Sequence, residues 1–247
     1  MRRSFDRAAP SYDRLAGLQR HVAERLLAAL PENPPPGWLL DLGAGTGWCA
    51  RVLAQRYPHR PLLLVDISEG MLHQAHCRLG KEPSFLVGDI EDLPLIEACA
   101  GLIVTNLALQ WCLDPARALS EMGRVLCPGG IMLFSTFAAG TLEELRQAWL
   151  KVDGYTHVNR FVASECFSDA LKRAGFSQWR IEEETIRRRF PSVLALLEEI
   201  KGIGAHNVTL ERPRHLLGKK ALAKLIAAYG EGEIEASFVP AYGWAVK

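Results

Sequence analysis

Hydrophobic and polar positions alternate along the middle of the chain in a pattern that predicts strands and helices by turns. Short apolar runs predict strands at residues 38–42, 61–66, 84–89, 101–107 and 130–137. Apolar residues at helical spacing predict helices at residues 48–57, 69–79 and 115–126. Near-continuous apolar strands joined by helices are typical of a parallel sheet that is covered on both faces. The pattern therefore predicts an α/β fold.

Both ends of the chain depart from this alternation. The segment RLAGLQRHVAERLLAAL predicts a helix over residues 14–30, and the proline-rich linker PENPPPG ends it. After residue 138, helical spacing recurs at residues 141–152, 164–175, 192–202 and 217–229. Strand patterns occupy residues 177–190 and 235–247. The connection between these two strands is about 45 residues long, and insertions of that size are often lids or binding elements.

Composition and charge limit the classes of function. The 247 residues are 49% hydrophobic, which allows a sizeable core, and carry a formal net charge of +1. That charge balance argues against a nucleic-acid binder. No apolar run approaches the roughly 18 residues of a membrane-spanning helix, and the N-terminus lacks the apolar stretch of a secretory signal. We therefore expect a cytoplasmic protein without nucleic-acid or membrane partners.

The six cysteines form no C-x-x-C pair, and most of them lie in apolar segments. A zinc centre or a disulfide framework is therefore not expected. We expect buried thiols, no metal and a reducing compartment.

A glycine-rich turn follows the first predicted strand in the stretch LLDLGAGTGWCARVLA (39–54). Glycines let the backbone approach a ligand, and the helix that follows offers free N–H groups at its start. A dinucleotide site would need a further glycine where Trp48 stands, and a phosphate-binding loop would need Gly-Lys-Ser/Thr. The turn therefore indicates a different ligand, although a purely structural turn is the alternative.

Polar side chains stand at the ends of the next three strands. Asp66 ends the second strand, where a carboxylate can accept hydrogen bonds from both ribose hydroxyls of a nucleoside. Asp89 follows the third strand and can accept from an adenine amino group, and Asn106 ends the fourth. Three apolar residues could sandwich the adenine: Ile67, Met71 and Ile90. Each polar residue alone could be a helix cap or a surface group, but successive strand ends favour a nucleoside site.

The segments DLGAGTG, VDIS, GDIEDLP and LCPGG resemble the class I S-adenosylmethionine-dependent methyltransferases, over residues 38–137. The resemblance implies a Rossmann-like, seven-stranded, mostly parallel sheet with an antiparallel hairpin at one edge. It implies S-adenosyl-L-methionine as cofactor and S-adenosyl-L-homocysteine as product. It places Gly43, Ala44 and Gly45 beside the amino-acid part of the cofactor, Asp66 at the ribose, and the two other strand-end residues at the adenine (Asp89) and the methionine (Asn106).

A second resemblance covers nearly the whole chain and concerns the methyl acceptor. Five segments resemble the malonyl-[acyl carrier protein] O-methyltransferase family of biotin biosynthesis: FDRAAPSYDRLAGLQR (5–20), NLALQWC (106–112), GTLEEL with QAW (140–149), HVNRF (157–161) and KGIGA (201–205). That family methylates the free carboxyl of a malonyl thioester held by an acyl carrier protein. Two alternatives remain at this point. One is a methyltransferase for another small acceptor, such as a free dicarboxylate or a quinone precursor; the other is a non-enzymatic module that binds S-adenosylmethionine.

The domain organisation follows from these resemblances. We expect one methyltransferase domain over residues 1–247, with a cofactor-binding core at 38–137 and an N-terminal helical cap at 1–30. Inserted lid or substrate elements are expected at 138–163 and 191–232.

A carboxylate acceptor is already ionised at neutral pH, so the reaction needs positioning rather than a general base. We expect a largely aromatic pocket that excludes water. Tyr12, Gln19 and Trp111 are the predicted pocket and positioning residues, and the loop around His157 and Arg160 is the predicted substrate segment.

Cations concentrate in the last inserted region. Residues 185–225 hold nine Lys or Arg against three acidic residues. Such a surface would steer an acidic carrier protein, although a solvated face partly neutralised by Glu182–Glu184 is the alternative. The predicted carrier-protein patch consists of Arg187, Arg188, Arg189, Arg212, Arg214, Lys219 and Lys220. Gly202 and Gly204 could provide a hinge or close packing.

Overall fold

A computed structural model describes residues 1–205 and 218–247. Its main sheet has seven strands in the order β3-β2-β1-β4-β5-β9-β6. These strands are β1 (Trp38–Leu42), β2 (Leu62–Asp66), β3 (Ser84–Val87), β4 (Ala100–Asn106), β5 (Leu126–Phe137), β6 (Gln178–Glu183) and β9 (Pro240–Val246). The first five are parallel, and β9 runs antiparallel to both β5 and β6. The α/β fold class and the seven-stranded, mostly parallel sheet are thus confirmed.

Helices cover both faces of this sheet and the rim at the C-terminal ends of its strands. They are α1 (Arg2–Ala8), α2 (Tyr12–Leu15), α3 (Gly17–Leu27), α4 (Trp48–Arg56), α5 (Glu69–Leu79), α6 (Pro115–Val125), α7 (Glu143–Leu150), α8 (Ser164–Arg173), α9 (Val193–Gly202) and α10 (Lys219–Tyr229). One 3-10 turn follows β4 at Leu109–Trp111. None of the helices in the described part of the chain has the length and apolarity needed to cross a membrane.

The core lies on both faces of the sheet because side chains alternate along each strand. Leu39 and Leu102 join a cluster that packs against α3 and α4, whereas Leu40 and Ile103 join a second cluster that packs against α6 and α8. All four of these side chains are buried. Burial on both faces explains why the strands read as continuous apolar runs in the sequence.

The two late strands are each broken, which corrects the predicted single strands at 177–190 and 235–247. Residues Ile186–Phe190 form β7 and residues Ile234–Phe238 form β8, and these two strands pair with each other in a second sheet. Pro240 opens β9, where its missing N–H requires no ladder partner. The second sheet joins the same hydrophobic cluster as Leu39 and Leu102, and the helices α9 and α10 lie between its two strands in the sequence.

The N-terminal prediction was also too simple. The expected helix at 14–30 is divided into α2 and α3, and α1 precedes them.

All six cysteines are free, and Cys49 is buried. The expectation of buried thiols is wrong for Cys77 and Cys166, which are exposed because they lie on the outer faces of α5 and α8.

Candidate active site

The glycine turn after β1 uses two of its glycines for different purposes. Gly43 has φ +68°, and a Cβ at this position would lie 2.4 Å from the Cβ of Ala108, in the loop after β4. Gly45 has φ +54°, but no atom of the described chain lies within 4 Å of a Cβ built there. Gly43 is therefore required for packing inside the protein. Gly45 instead leaves exposed backbone on the side of the turn where a ligand could approach.

Asp66 connects this turn to the end of β2. The Gly45 N–H donates to its Oδ2 at 2.8 Å, and the Ser68 N–H donates to its Oδ1 at 2.8 Å. Burial raises the pKa of this carboxyl, while the N–H groups of Ser68 and Gly45 oppose the rise. Each oxygen keeps a second lone pair. Asp66 can therefore brace the turn and still accept hydrogen bonds from a pair of hydroxyls.

A second carboxylate lies beneath the turn. Asp41 is almost fully buried, and its Oδ2 accepts from the Ala50 N–H at 2.8 Å in the first turn of α4. Burial raises the pKa of Asp41 to about 7, and the nearby charge of Asp66 acts in the same direction. Asp41 therefore holds the start of α4 in position behind the ligand side of the turn.

The rim continues to the loop after β3. The Gly88 N–H donates to the main-chain oxygen of Asp66 at 3.1 Å. The next residue, Asp89, is exposed, and its Oδ1 accepts from the Glu91 N–H at 3.0 Å. The structure therefore brings Gly45, Asp66 and the Asp89 loop onto three adjacent strand ends, while the adenine role of Asp89 stays a prediction.

The three residues expected to sandwich an adenine differ in burial. Ile67 and Ile90 are half-buried on this rim. Met71 is only 2% exposed and packs with Ala8 and Ala9 of the N-terminal cap. Its place under the cap was not foreseen, and the predicted contact of all three with adenine stays a prediction.

Asn106 ends β4 in a hydrogen-bond network that reaches α3. Its Nδ2 donates to the main-chain oxygen of Gln19 at 3.1 Å, and its Oδ1 accepts from the Ser135 hydroxyl at 2.8 Å. The side-chain Oε1 of Gln19 is buried and has no hydrogen-bond partner in the described part of the chain. Asn106 and Gln19, predicted from separate segments, therefore lie side by side.

The N-terminal cap is fastened to this rim by two carboxylates. Asp6 accepts from the Ser68 hydroxyl at 2.6 Å and from the Gly70 N–H at 3.1 Å, at the start of α5. Asp13 accepts from the Thr46 hydroxyl in the glycine turn at 2.6 Å. Both contacts lie within the turns that surround Asp66, so the cap is attached directly to the candidate cofactor site.

Arg78, in the last turn of α5, completes the second of these attachments. Its guanidinium pairs with Asp13 and donates to the main-chain oxygen of Thr46 at 2.8 Å. It therefore bridges α5, the glycine turn and the cap.

The cap also brings aromatic side chains to the rim. Tyr12 packs against the cluster of Ala8, Ala9 and Met71. Burial raises the pKa of the Tyr12 hydroxyl, and the Asp66 and Asp13 charges add to this effect. Trp111 meets Phe5 of α1 edge to face, with ring centroids 5.5 Å apart. The cap and the loop after β4 therefore share an aromatic contact.

His157 is engaged within its own loop. Its ring stacks on Trp149 at 3.6 Å with an interplanar angle of 7°. Its Nε2 lies 2.9 Å from Asp153 Oδ1. These contacts anchor the loop after α7 to the core, where Trp149 is buried. Arg160 is exposed on the same loop. The substrate roles of His157 and Arg160 stay predictions.

The three arginines of β7 do not share one face. Arg187 and Arg189 are exposed and each lies 3.8 Å from a glutamate of or beside β8, Glu235 and Glu233 respectively. Arg188 points to the opposite face. There it pairs with Glu199 of α9 and lies over the ring of Phe190.

The rest of the predicted carrier-protein patch is described in part. Lys220 is exposed. Arg212, Arg214 and the side chain of Lys219 lie outside the described residues.

The two glycines of KGIGA pack closely against the cap. A Cβ on Gly202 would lie 2.2 Å from Leu15 of α2, and one on Gly204 would lie 3.0 Å from Phe5. Gly204 has φ +77°, which strains any other residue, so glycine is favoured at this close approach. The inserted region therefore contacts the cap that covers the candidate site.

Sequence reasoning missed four residues that position this site: Asp6, Asp13, Arg78 and Ser135. Asp6 and Asp13 do belong to the segment FDRAAPSYD, so their acidity beside predicted aromatic contacts was a usable signal. Ser135 lies within the predicted apolar strand at 130–137, and nothing in the sequence marks it as a site residue.

The sheet order, the glycine turn and the acidic strand ends together define a class I S-adenosylmethionine-dependent methyltransferase. A family model described as a methyltransferase domain matches residues 40–134. Among solved structures, the YcgJ protein of Bacillus subtilis aligns with a TM-score of 0.67 and 16% identity, covering 92% of this chain and 98% of that one. That likeness supports the fold.

Relatives define the family more narrowly. A malonyl-[acyl-carrier protein] O-methyltransferase of Methylococcus capsulatus is 47% identical over 230 residues, which are 92% of this chain and 84% of the relative. The biotin biosynthesis bifunctional protein BioHC of Cellvibrio japonicus is 38% identical over 226 residues, covering 92% of this chain and 45% of that protein. The chain belongs to the malonyl-[acyl-carrier protein] O-methyltransferase family.

Proposed function

We propose that this enzyme transfers a methyl group from S-adenosyl-L-methionine to the free carboxyl of a malonyl thioester carried by an acyl carrier protein. The products are the malonyl methyl ester and S-adenosyl-L-homocysteine. The observation that carries the substrate is the 47% identity to the Methylococcus capsulatus relative over most of both chains. The Cellvibrio japonicus relative, named for biotin biosynthesis, supports a role in starting the pimeloyl part of biotin.

The residues present fit the cofactor. Gly45 leaves open space beside its backbone, and Asp66 has free lone pairs for two ribose hydroxyls. The buried Gln19 Oε1 lacks a partner in the described chain and suits a cationic donor. When bound, the cofactor supplies an electrophilic methyl group on sulfur. Gly45, Asp66, Asp89 and Asn106 are the residues proposed to hold it.

The protein's own contribution is positioning and exclusion of water. The acceptor carboxyl is ionised at neutral pH, so no residue needs to remove a proton. The Tyr12 hydroxyl stays protonated because its pKa is raised, so it can donate a hydrogen bond but is not a base. Phe5 and Trp111 form an apolar wall at the same rim. An apolar wall excludes water from the acceptor carboxylate, and a less hydrated carboxylate is a better nucleophile.

A methyl-transfer assay tests this function. The purified enzyme is incubated with S-adenosyl-L-methionine and malonyl-acyl carrier protein, and the acyl group is analysed by mass spectrometry. We expect one added methyl group on the malonyl group. Methylation of a quinone precursor but not of the malonyl thioester would favour another acceptor. Cofactor binding without any transfer would favour a binding module.

A further inference from the structure

The backbone just after β4 is held in an unusual conformation. Leu107 has φ +50°, which is uncommon for a residue with a branched side chain. Its N–H donates to two acceptors on Ser135, the main-chain oxygen at 3.0 Å and the hydroxyl at 3.1 Å. Its carbonyl accepts from the Gln110 side chain at 2.7 Å. Strained backbone persists where its surroundings fix it, and such positions cluster at functional sites.

Ser135 fixes more than this turn. Its side chain is fully buried on β5, opposite Asn106 in the strand register. The hydroxyl accepts from the Leu107 N–H and donates to the Asn106 Oδ1 at 2.8 Å. Because the Ser135 proton occupies Oδ1, the Asn106 amide must point its N–H groups toward α3, where one of them reaches the Gln19 main chain at 3.1 Å.

The network ends at an acceptor without a donor. Gln19 Oε1 is buried and finds no hydrogen-bond partner in the described chain, although buried polar groups are normally paired. It lies on α3, whose main chain Asn106 holds against the end of β4. The missing partner must be a donor, and a cationic one gains most in a buried setting.

We propose that Ser135 is a positioning residue which orients Asn106 and Gln19, and that Gln19 Oε1 accepts a hydrogen bond from the ammonium group of the cofactor's amino-acid end. The proposal rests on the proposed use of S-adenosyl-L-methionine. In this proposal, Ser135 and Gln19 contribute to binding of the amino-acid end of the cofactor and not to binding of its nucleoside end.

Two ligands that differ only at that end provide the test. S-adenosyl-L-homocysteine carries the amino acid, whereas 5′-methylthioadenosine has the same nucleoside and sulfur without it. Dissociation constants for both are measured by calorimetry on wild-type protein, Ser135→Ala and Gln19→Met. We expect S-adenosyl-L-homocysteine to bind about tenfold more weakly or worse to each variant, since a charge-assisted hydrogen bond is lost. Binding of 5′-methylthioadenosine should change less than about twofold, since its contacts do not include that bond.

Binding of 5′-methylthioadenosine also shows that each variant is folded. Ser120→Ala is the matched serine control, because that hydroxyl is exposed and bonds only within α6. Ser135→Thr keeps a hydroxyl and should retain most of the preference for S-adenosyl-L-homocysteine. Equal loss of both ligands, or unchanged affinity for both, overturns the inference. Wild-type protein that binds neither ligand would instead contradict the proposed function.

Discussion

Single residues at the rim hold neighbouring turns together and are also proposed to contact the ligand. Asp66 is the clearest case, because the same carboxylate receives the N–H of the glycine turn and that of the β2–α5 loop while keeping lone pairs for hydroxyls. Asp41, one strand away, is almost fully buried and accepts from the Ala50 N–H in the first turn of α4. Two buried carboxylates at adjacent strand ends therefore have separate roles, and substitution should separate them.

Asp66→Ala should weaken binding of both S-adenosyl-L-homocysteine and adenosine by roughly a hundredfold, since a buried carboxylate bonded to hydroxyls contributes about 1.5–3 kcal/mol and the turn also loosens. Calorimetry on the variant and on Asp92→Ala, an exposed carboxylate on the next loop, checks this. Unchanged affinity in Asp66→Ala would refute the ribose assignment. If only S-adenosyl-L-homocysteine bound more weakly, and adenosine did not, the ribose assignment would also be refuted.

The Asp41→Asn variant tests the raised pKa. Because the folded-state pKa of about 7 lies above the ordinary 3.8, the folded protein holds this proton longer than the unfolded chain does. Wild-type stability should therefore fall, relative to the variant, as pH rises from 4 to 7, by about 2–4 kcal/mol in total. Urea unfolding of both proteins at several pH values measures the difference. A difference that does not change with pH would contradict the raised pKa.

At the scale of elements, the N-terminal cap is tied to the cofactor rim from two sides. Asp6 reaches the start of α5, and Asp13 reaches the glycine turn and Arg78. Since these contacts lie in the turns expected to hold the cofactor, attachment of the cap and binding of the cofactor should reinforce each other.

Asp13→Ala should therefore speed the release of S-adenosyl-L-homocysteine by about tenfold, through the loss of charge-assisted hydrogen bonds. Stopped-flow displacement measures the rate. Glu24→Ala is the matched control, because Glu24 is an exposed carboxylate on α3 of the same cap. Equal release rates in all three proteins would show that the cap does not restrain the ligand.

The sequence predicts elements well where local signals decide them. Residues Trp38–Leu42 and Glu69–Leu79 have the predicted bounds, because an apolar run and a Ser68 cap mark them. Pro240 marks the break inside 235–247 in the sequence, whereas the separation of β7 and β8 from the main sheet depends on the choice of a tertiary partner. Gly45 and Asp66 were predicted from motif position, whereas Ser135 is found only through its hydrogen bonds to Leu107 and Asn106.

Across the whole molecule, the inserted region lies against the cap at Gly202 and Gly204, and the basic strand β7 directly precedes it in the chain. On β7, Arg187 and Arg189 form an exposed basic face, each near a glutamate. Arg188 pairs with Glu199 instead, and its role in carrier-protein docking stays a prediction. A carrier protein docked on β7 would lie next to α9, whose C-terminal end packs on the cap.

The Arg187→Ala/Arg189→Ala double variant should lower kcat/KM for malonyl-acyl carrier protein by about tenfold at low salt, and less at high salt, because exposed charges are screened. A small malonyl thioester should be methylated at the wild-type rate. Lys172→Ala/Arg173→Ala, on α8 at the opposite face of the sheet, is the matched control. Equal losses on both substrates would remove β7 from carrier recognition.

A competition among acceptors tests the central claim most directly. The wild-type enzyme receives methyl-labelled S-adenosyl-L-methionine with equal concentrations of malonyl-acyl carrier protein, malonyl-CoA and free malonate, and label in each is counted over time. The account predicts label on the malonyl carboxyl of the thioesters, with the carrier protein first and free malonate last. Label on free malonate alone, or on none of the three, would contradict it.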